Sequence, residues 1–199
     1  MSDQIRVIDR AARCVAIQNG YEHGEIFIRH GSTEDRDGRA QNWVTFACHT
    51  TFGAYSNHWS HIGSNDWRKF IQNGQLDHVM NKFCPGKWDE PDFEATADGF
   101  KDTLIEARRA GLLEKDEARE AWDRLGDAIG AARNYESVPD AAVAMLLDHV
   151  AGEDWTSECW EDVKRRPNGQ VKGFFERIWT PFCEEMAREL EAERVAEPA

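Results

Sequence analysis

WVTFACHTTFGAYSNHW, residues 43–59, alternates apolar and polar side chains twice, with a Gly-containing turn between the two runs. In the first run Val44, Phe46 and Cys48 point one way and Trp43, Thr45, Ala47 and His49 the other. In the second, Tyr55, Asn57, Trp59 and His61 share a face. Period-two alternation over this length predicts a β-hairpin with one buried side. Two runs upstream, residues 5–19 and 24–30, are rich in β-branched residues and are separated by NGYEHG, a turn signal. Ile26 and Ile28 oppose Phe27 and Arg29. Four short strands predict a small antiparallel sheet.

Helical spacing takes over after Gly63. Asn65 or Asp66 can cap a short helix with Trp67, Phe70 and Ile71, and a second runs from Leu76 to Phe83. Beyond Pro91, Phe93, Ala97, Phe100, Leu104 and Ala107 step by three and four, and Gly111 is placed to end that helix. A partner helix carries Ala118, Ala121, Trp122, Leu125 and Ile129, giving an αα-hairpin. Further helices are expected at 139–151 and 156–164, and a long one at about 170–195 that Pro181 should kink. The expectation is an α+β chain: 1–84 a sheet with short covering helices and 85–199 an acidic helical part packed on it, as two parts or as one continuous domain.

Composition narrows the functional classes. The chain has 199 residues and a net charge of −13. Residues 1–90 hold 10 Lys and Arg against 11 Asp and Glu, whereas residues 91–199 hold 14 against 26, an excess of −12. Nucleic-acid affinity rests largely on Lys and Arg displacing counterions, so direct nucleic-acid binding is not expected and basic partners are. No run approaches the roughly 18 apolar residues of a membrane span. MSDQIRVIDRAARC lacks the apolar core of a signal peptide, and the expected location is the cytoplasm. Five cysteines, Cys14, Cys48, Cys84, Cys159 and Cys183, form no C-x-x-C pair and read as reduced thiols packed in the core.

Three constellations could carry chemistry. His49, His58 and His61 with Cys48 are candidate metal ligands or parts of a small enzyme, but His58 on a regular strand should point away from His49 and His61. A Cys-His nucleophile from Cys48 or Cys84 with His49, His58 or His78 needs a lowered thiol pKa and an oriented base. No G-x-S-x-G, P-loop or G-x-G-x-x-G occurs. No catalytic residue, metal or cofactor is therefore assigned. The third constellation is acidic: Asp116, Glu117, Glu120, Asp123 and Asp127 on one helix, and Glu184, Glu185 and Glu189 on the last. Rows of carboxylates three, four and seven apart can imitate a phosphate backbone and enter a basic groove. Of the eight Trp, Trp67, Trp88 and Trp155 near element ends are expected to be exposed, and Trp43, Trp59, Trp122 and Trp179 to be core.

Residues from about 43 to 126 resemble a family of small bacteriophage and prophage accessory proteins. The resemblance rests on Gly53, Tyr55, Trp59, Phe70, Lys82 and Phe83, with Ala118, Arg119 and Trp122 in the second hairpin helix. It supplies no catalytic residues to carry over, and it leaves the N-terminal strands and the acidic C-terminal helices outside. It implies phage origin and a setting in the host cytoplasm. By association, accessory phage proteins of this size often interfere with host defence, including CRISPR systems. The expected partner is a host protein, such as a CRISPR effector or another nucleic-acid-binding defence component. A phage assembly factor and a homodimer are further expectations.

Overall fold

The computed structural model describes residues 11–34, 36–72, 74–135, 137–151, 153, 155 and 162–196. The fold is α+β, and it divides into a sheet unit, residues 1–88 with 169–199, and a helical unit, residues 89–168. The boundary lies at Trp88, and residues 169–199 group with the sheet.

In the sheet unit β1 (Arg13–Asn19), β2 (Glu22–Glu34), β3 (Ala40–Thr50) and β4 (Gly53–Trp59) form an antiparallel meander in chain order. Gly20, at φ 65°, makes the tight turn from β1 to β2. The inward face carries Ile26, Ile28, Val44, Phe46, Cys48 and Tyr55, all buried. Helices α1 (Trp67–Ile71) and α2 (Leu76–Phe83) complete that core with the C-terminal helices. The long β2–β3 hairpin exceeds expectation: residues 31–34 and 40–42, which lie between the alternating runs at 24–30 and 43–59, are paired strand. These residues extend past the buried patch, where no apolar face is required and the alternation signal vanishes.

The final helix is built in three pieces. α6 (Gly169–Phe174) and α7 (Thr180–Ala196) flank a π-turn at Phe175–Trp179, in which the Thr180 N–H reaches back to the Phe175 carbonyl. The widened turn leads directly into Pro181, whose missing N–H leaves an ordinary helix one donor short. Trp179 and Phe182 from this segment meet Phe46 edge-on, with ring centroids 5.3 and 6.1 Å away. The rings of β3, β4, α1 and α7 therefore make one aromatic core.

The helical unit contains α3 (Phe93–Arg109), α4 (Lys115–Ala132) and α5 (Pro139–Val150), with a two-stranded ribbon of β5 (Asp89–Pro91) and β6 (Arg165–Pro167). Its core comes from Phe100 and Leu104 of α3, Leu125 and Ile129 of α4 and Leu146 of α5. Asp92 caps α3 by accepting from the Ala95 N–H at 3.1 Å. Buried Thr96 accepts from the Lys164 N–H at 3.0 Å, which anchors the chain just before β6. Most of the helix expected at 156–164 lies outside the described residues. The three-residue strands escaped sequence reading because each ends in Pro and is too short to alternate.

Candidate functional site

The histidines fall on the sheet's outward face. Directly opposed residues in an antiparallel pair share a face, and Thr45 opposes His58 while His49 opposes Ala54. His58 and His49 therefore point the same way, contrary to expectation. The phase of β4 was legible, but its pairing with β3 was not. His61 lies beyond the end of β4. On this face Thr45 Oγ1 and His58 Nδ1 are 2.8 Å apart, and His58 packs against Trp43 with centroids 5.7 Å apart. Trp43, expected in the core, lies on this side over Gly31, where an added β-carbon would stand 2.9 Å from the indole Cζ2. His49 packs edge-on against Phe27. No group of three or more His, Cys, Asp or Glu placed to hold a metal ion occurs among the described residues.

Cys48 faces inward, away from His49. Burial pushes its thiol up to about 12, and does the same to Cys183. Burial raises the Cys84 thiol as well. A raised pKa disfavours the thiolate, which is the nucleophilic form, and Cys48 and His49 stand on opposite faces of β3. Cys14, expected to be packed, is exposed, and Cys159 lies outside the described residues.

The acidic residues divide by role. On α7, Glu189 accepts from Arg13 of β1 at 2.9 and 2.5 Å. Glu193, one turn on, accepts from Arg68 of α1 at 2.7 and 2.6 Å. Arg68 also bonds the Asp66 carboxylate, which caps α1 through the Arg68 N–H at 2.8 Å. Hydrogen bonds from Arg13 hold Glu189 below the usual carboxylate range, and Arg68 does the same for Asp66 and Glu193. The same partners raise the Arg68 guanidinium. Glu185 pairs with Arg188, and Glu184 is exposed. Glu189 is thus part of a clamp that fastens β1 and α1 to α7.

On α4, Glu117 turns back and accepts from the Glu114 N–H at 2.7 Å, which commits it to the helix start. The remaining acids, Asp116, Glu120, Asp123 and Asp127, step by four, three and four and are all exposed. At 3.6 residues per turn they form a single row along the helix. Glu120 is bonded by Arg124 at 3.2 Å, and Arg124 also reaches Glu153 at 2.9 Å. Asp116, Asp123 and Asp127 have no ion-pair partner among the described residues. The helical unit holds 10 Lys and Arg against 21 Asp and Glu, a net of −11, whereas the rest of the chain holds 14 against 16.

The tryptophans exchange places. Trp67 and Trp155, expected at the surface, are 6% and 7% exposed, because an element end in sequence is not an end of the core. Trp88 is half-buried and donates its indole N–H to Asn81 at 2.8 Å. Trp122, expected in the core, is 43% exposed. The buried stripe of α4 is Ala121, Leu125, Ala128 and Ile129, and Trp122 stands beside it.

No helix among the described residues is long and apolar enough to cross a membrane. No curated protein and no solved structure matches the chain. Residues 14–188 match the model of a family described as a phage family, Phage_phiTE_072. The match takes in β1, β2 and most of the final helix, which the sequence resemblance left outside. The chain belongs to this phage family.

Proposed function

We propose that the protein is a phage accessory factor that binds a host protein through the acidic row on α4. The observation that carries this reading is the alignment of Asp116, Glu120, Asp123 and Asp127, three of them unpaired among the described residues, on a unit of net charge −11. Carboxylates repeated along a rigid helix present a field complementary to a surface built to hold phosphates. The partner is accordingly a nucleic-acid-handling protein, in its most specific form a CRISPR effector or another defence component whose basic groove the row occupies. Binding blocks the groove sterically and electrostatically, without chemistry.

The test is capture from host lysate with the wild-type chain and with a variant carrying Asp116→Lys, Asp123→Lys and Asp127→Lys. The reading expects a captured nucleic-acid-binding protein whose retention falls with salt and disappears with the reversals. A partner retained equally by the variant sinks the acidic-row mechanism.

A further inference from the structure

The cations of the helical unit are paired in an uneven way. The unit holds 21 acids to 10 bases. Five of the bases pair with a carboxylate: Lys101 with Asp98, Arg124 with Glu120 and Glu153, Arg133 with Glu94, Arg165 with Asp89 and Arg166 with Glu90. Of the other five, Lys164 next to β6 and Arg108, Arg109, Lys115 and Arg119 at the α3–α4 turn pair with no carboxylate among the described residues. Arg108, Arg109, Lys115 and Arg119 line one groove between the end of α3 and the start of α4. The groove is about 400 Å³, and Leu104, Ile105, Ala118 and the exposed Trp122 supply the rest of its lining. A cationic rim around an apolar surface thus sits on a strongly acidic unit.

We infer that this groove docks an acidic amphipathic segment of a partner protein. Aliphatic or aromatic side chains of the segment cover Ile105 and Trp122, and its carboxylates meet Arg108, Arg109, Lys115 and Arg119. Charge complementarity sets the sign of the ligand, and the apolar lining sets its second property. A single-stranded nucleic acid fits less well. It carries a charge about every 3.4 Å along the strand, and its length would run past the rim into the acidic row on the adjoining flank of α4. A second copy of this chain fits less well too, because the row has carboxylates in line and no apolar side chain to cover Trp122. The groove is opposite in sign to the row proposed above, and the two surfaces take different ligands.

The test uses a fluorescein-labelled 12-residue peptide in which Leu recurs every three or four residues and the other positions are Glu and Ser. Fluorescence anisotropy should show saturable binding to the wild-type chain. Replacing the Glu residues by Gln, or introducing Arg109→Ala with Arg119→Ala, should weaken it about tenfold or more. Trp122→Ser should weaken it as well, with circular dichroism unchanged from wild type. The reversals at Asp116, Asp123 and Asp127 should leave binding intact or tighten it, so failure of the acidic row and failure of the groove are distinguishable. No saturable binding, or equal binding by the double-alanine variant, overturns the inference. Tighter binding of a dT12 oligonucleotide assigns the rim to phosphates and also overturns it. So does self-association that Trp122→Ser abolishes.

Discussion

The ring of Phe52, in the turn between β3 and β4, occupies the place where a side chain on Gly173 of α6 would begin. A β-carbon there would stand 2.4 Å from the ring Cε1 and 2.7 Å from Cδ1. This contact lets α6 lie directly on the hairpin turn. Gly173→Ala should therefore destabilise the chain by about 1–3 kcal/mol through overpacking, although alanine is the better helix former. In a Phe52→Ala background the same substitution should cost nothing or stabilise slightly. Urea unfolding of the four chains of this cycle checks the coupling, and an equal cost in both backgrounds would remove the steric explanation.

The Arg13, Arg68, Asp66, Glu189 and Glu193 clamp predicts an acid limit to stability. Arg13 holds the carboxylate pKa of Glu189, and Arg68 that of Asp66, below their unfolded values. Their contribution is complete above the unfolded values near pH 4 and is lost as the pH falls through the folded ones. Melting temperature should be flat from neutrality to about pH 5 and then fall. Arg68→Ala should lower stability by about 2 kcal/mol at pH 7, through loss of charge-assisted hydrogen bonds made by a side chain that is 13% exposed. It should also flatten the acid limb of the melting profile. An unchanged limb would mean that other carboxylates set it.

Thiol accessibility separates the cysteines. Cys14 is exposed, whereas the Cys48 and Cys183 thiols are pushed up to about 12. At pH 8 an alkylating reagent should modify Cys14 within minutes and leave Cys48 and Cys183 intact until the chain unfolds. Peptide mapping by mass spectrometry reads each site, and early labelling of Cys48 would contradict the inward face of β3.

Trp67 and Trp122 should respond oppositely to truncation. Trp67→Ala empties a place beside Phe46 and Phe182 and should cost about 3–5 kcal/mol. Trp122→Ala, at a half-open surface, should cost about 1 kcal/mol or less. Thermal melts of the two variants decide it.

The sheet was legible in the sequence because a half-buried strand writes its geometry as alternation. Spacing alone set Val44, Phe46 and Cys48 apart from Trp43, Thr45, Ala47 and His49, but it did not say which face is buried, and Trp43 was expected in the core. What escaped depended on pairing between distant segments. The face of His58 follows from the register with Thr45, and the role of Glu189 follows from Arg13, 176 residues away. Neither relation leaves a local trace. The acidic row on α4 was readable from helical periodicity, except that Glu117 belongs to the cap. The groove at Trp122 was not readable. Its four cations are unremarkable one by one and acquire meaning only when five of the unit's other six are seen to be paired.

The ribbon of β5 and β6 brings Asp89 opposite Pro167, so the helical unit begins and ends at one place. The chain thus leaves the sheet unit after Trp88 and returns at Gly169, beside its point of departure, to supply the helix that closes the sheet's core. Such a segment is a cassette with adjacent ends. A short loop could replace it while the sheet and its closing helix stay joined, and a different cassette could be exchanged for it while the host scaffold is kept.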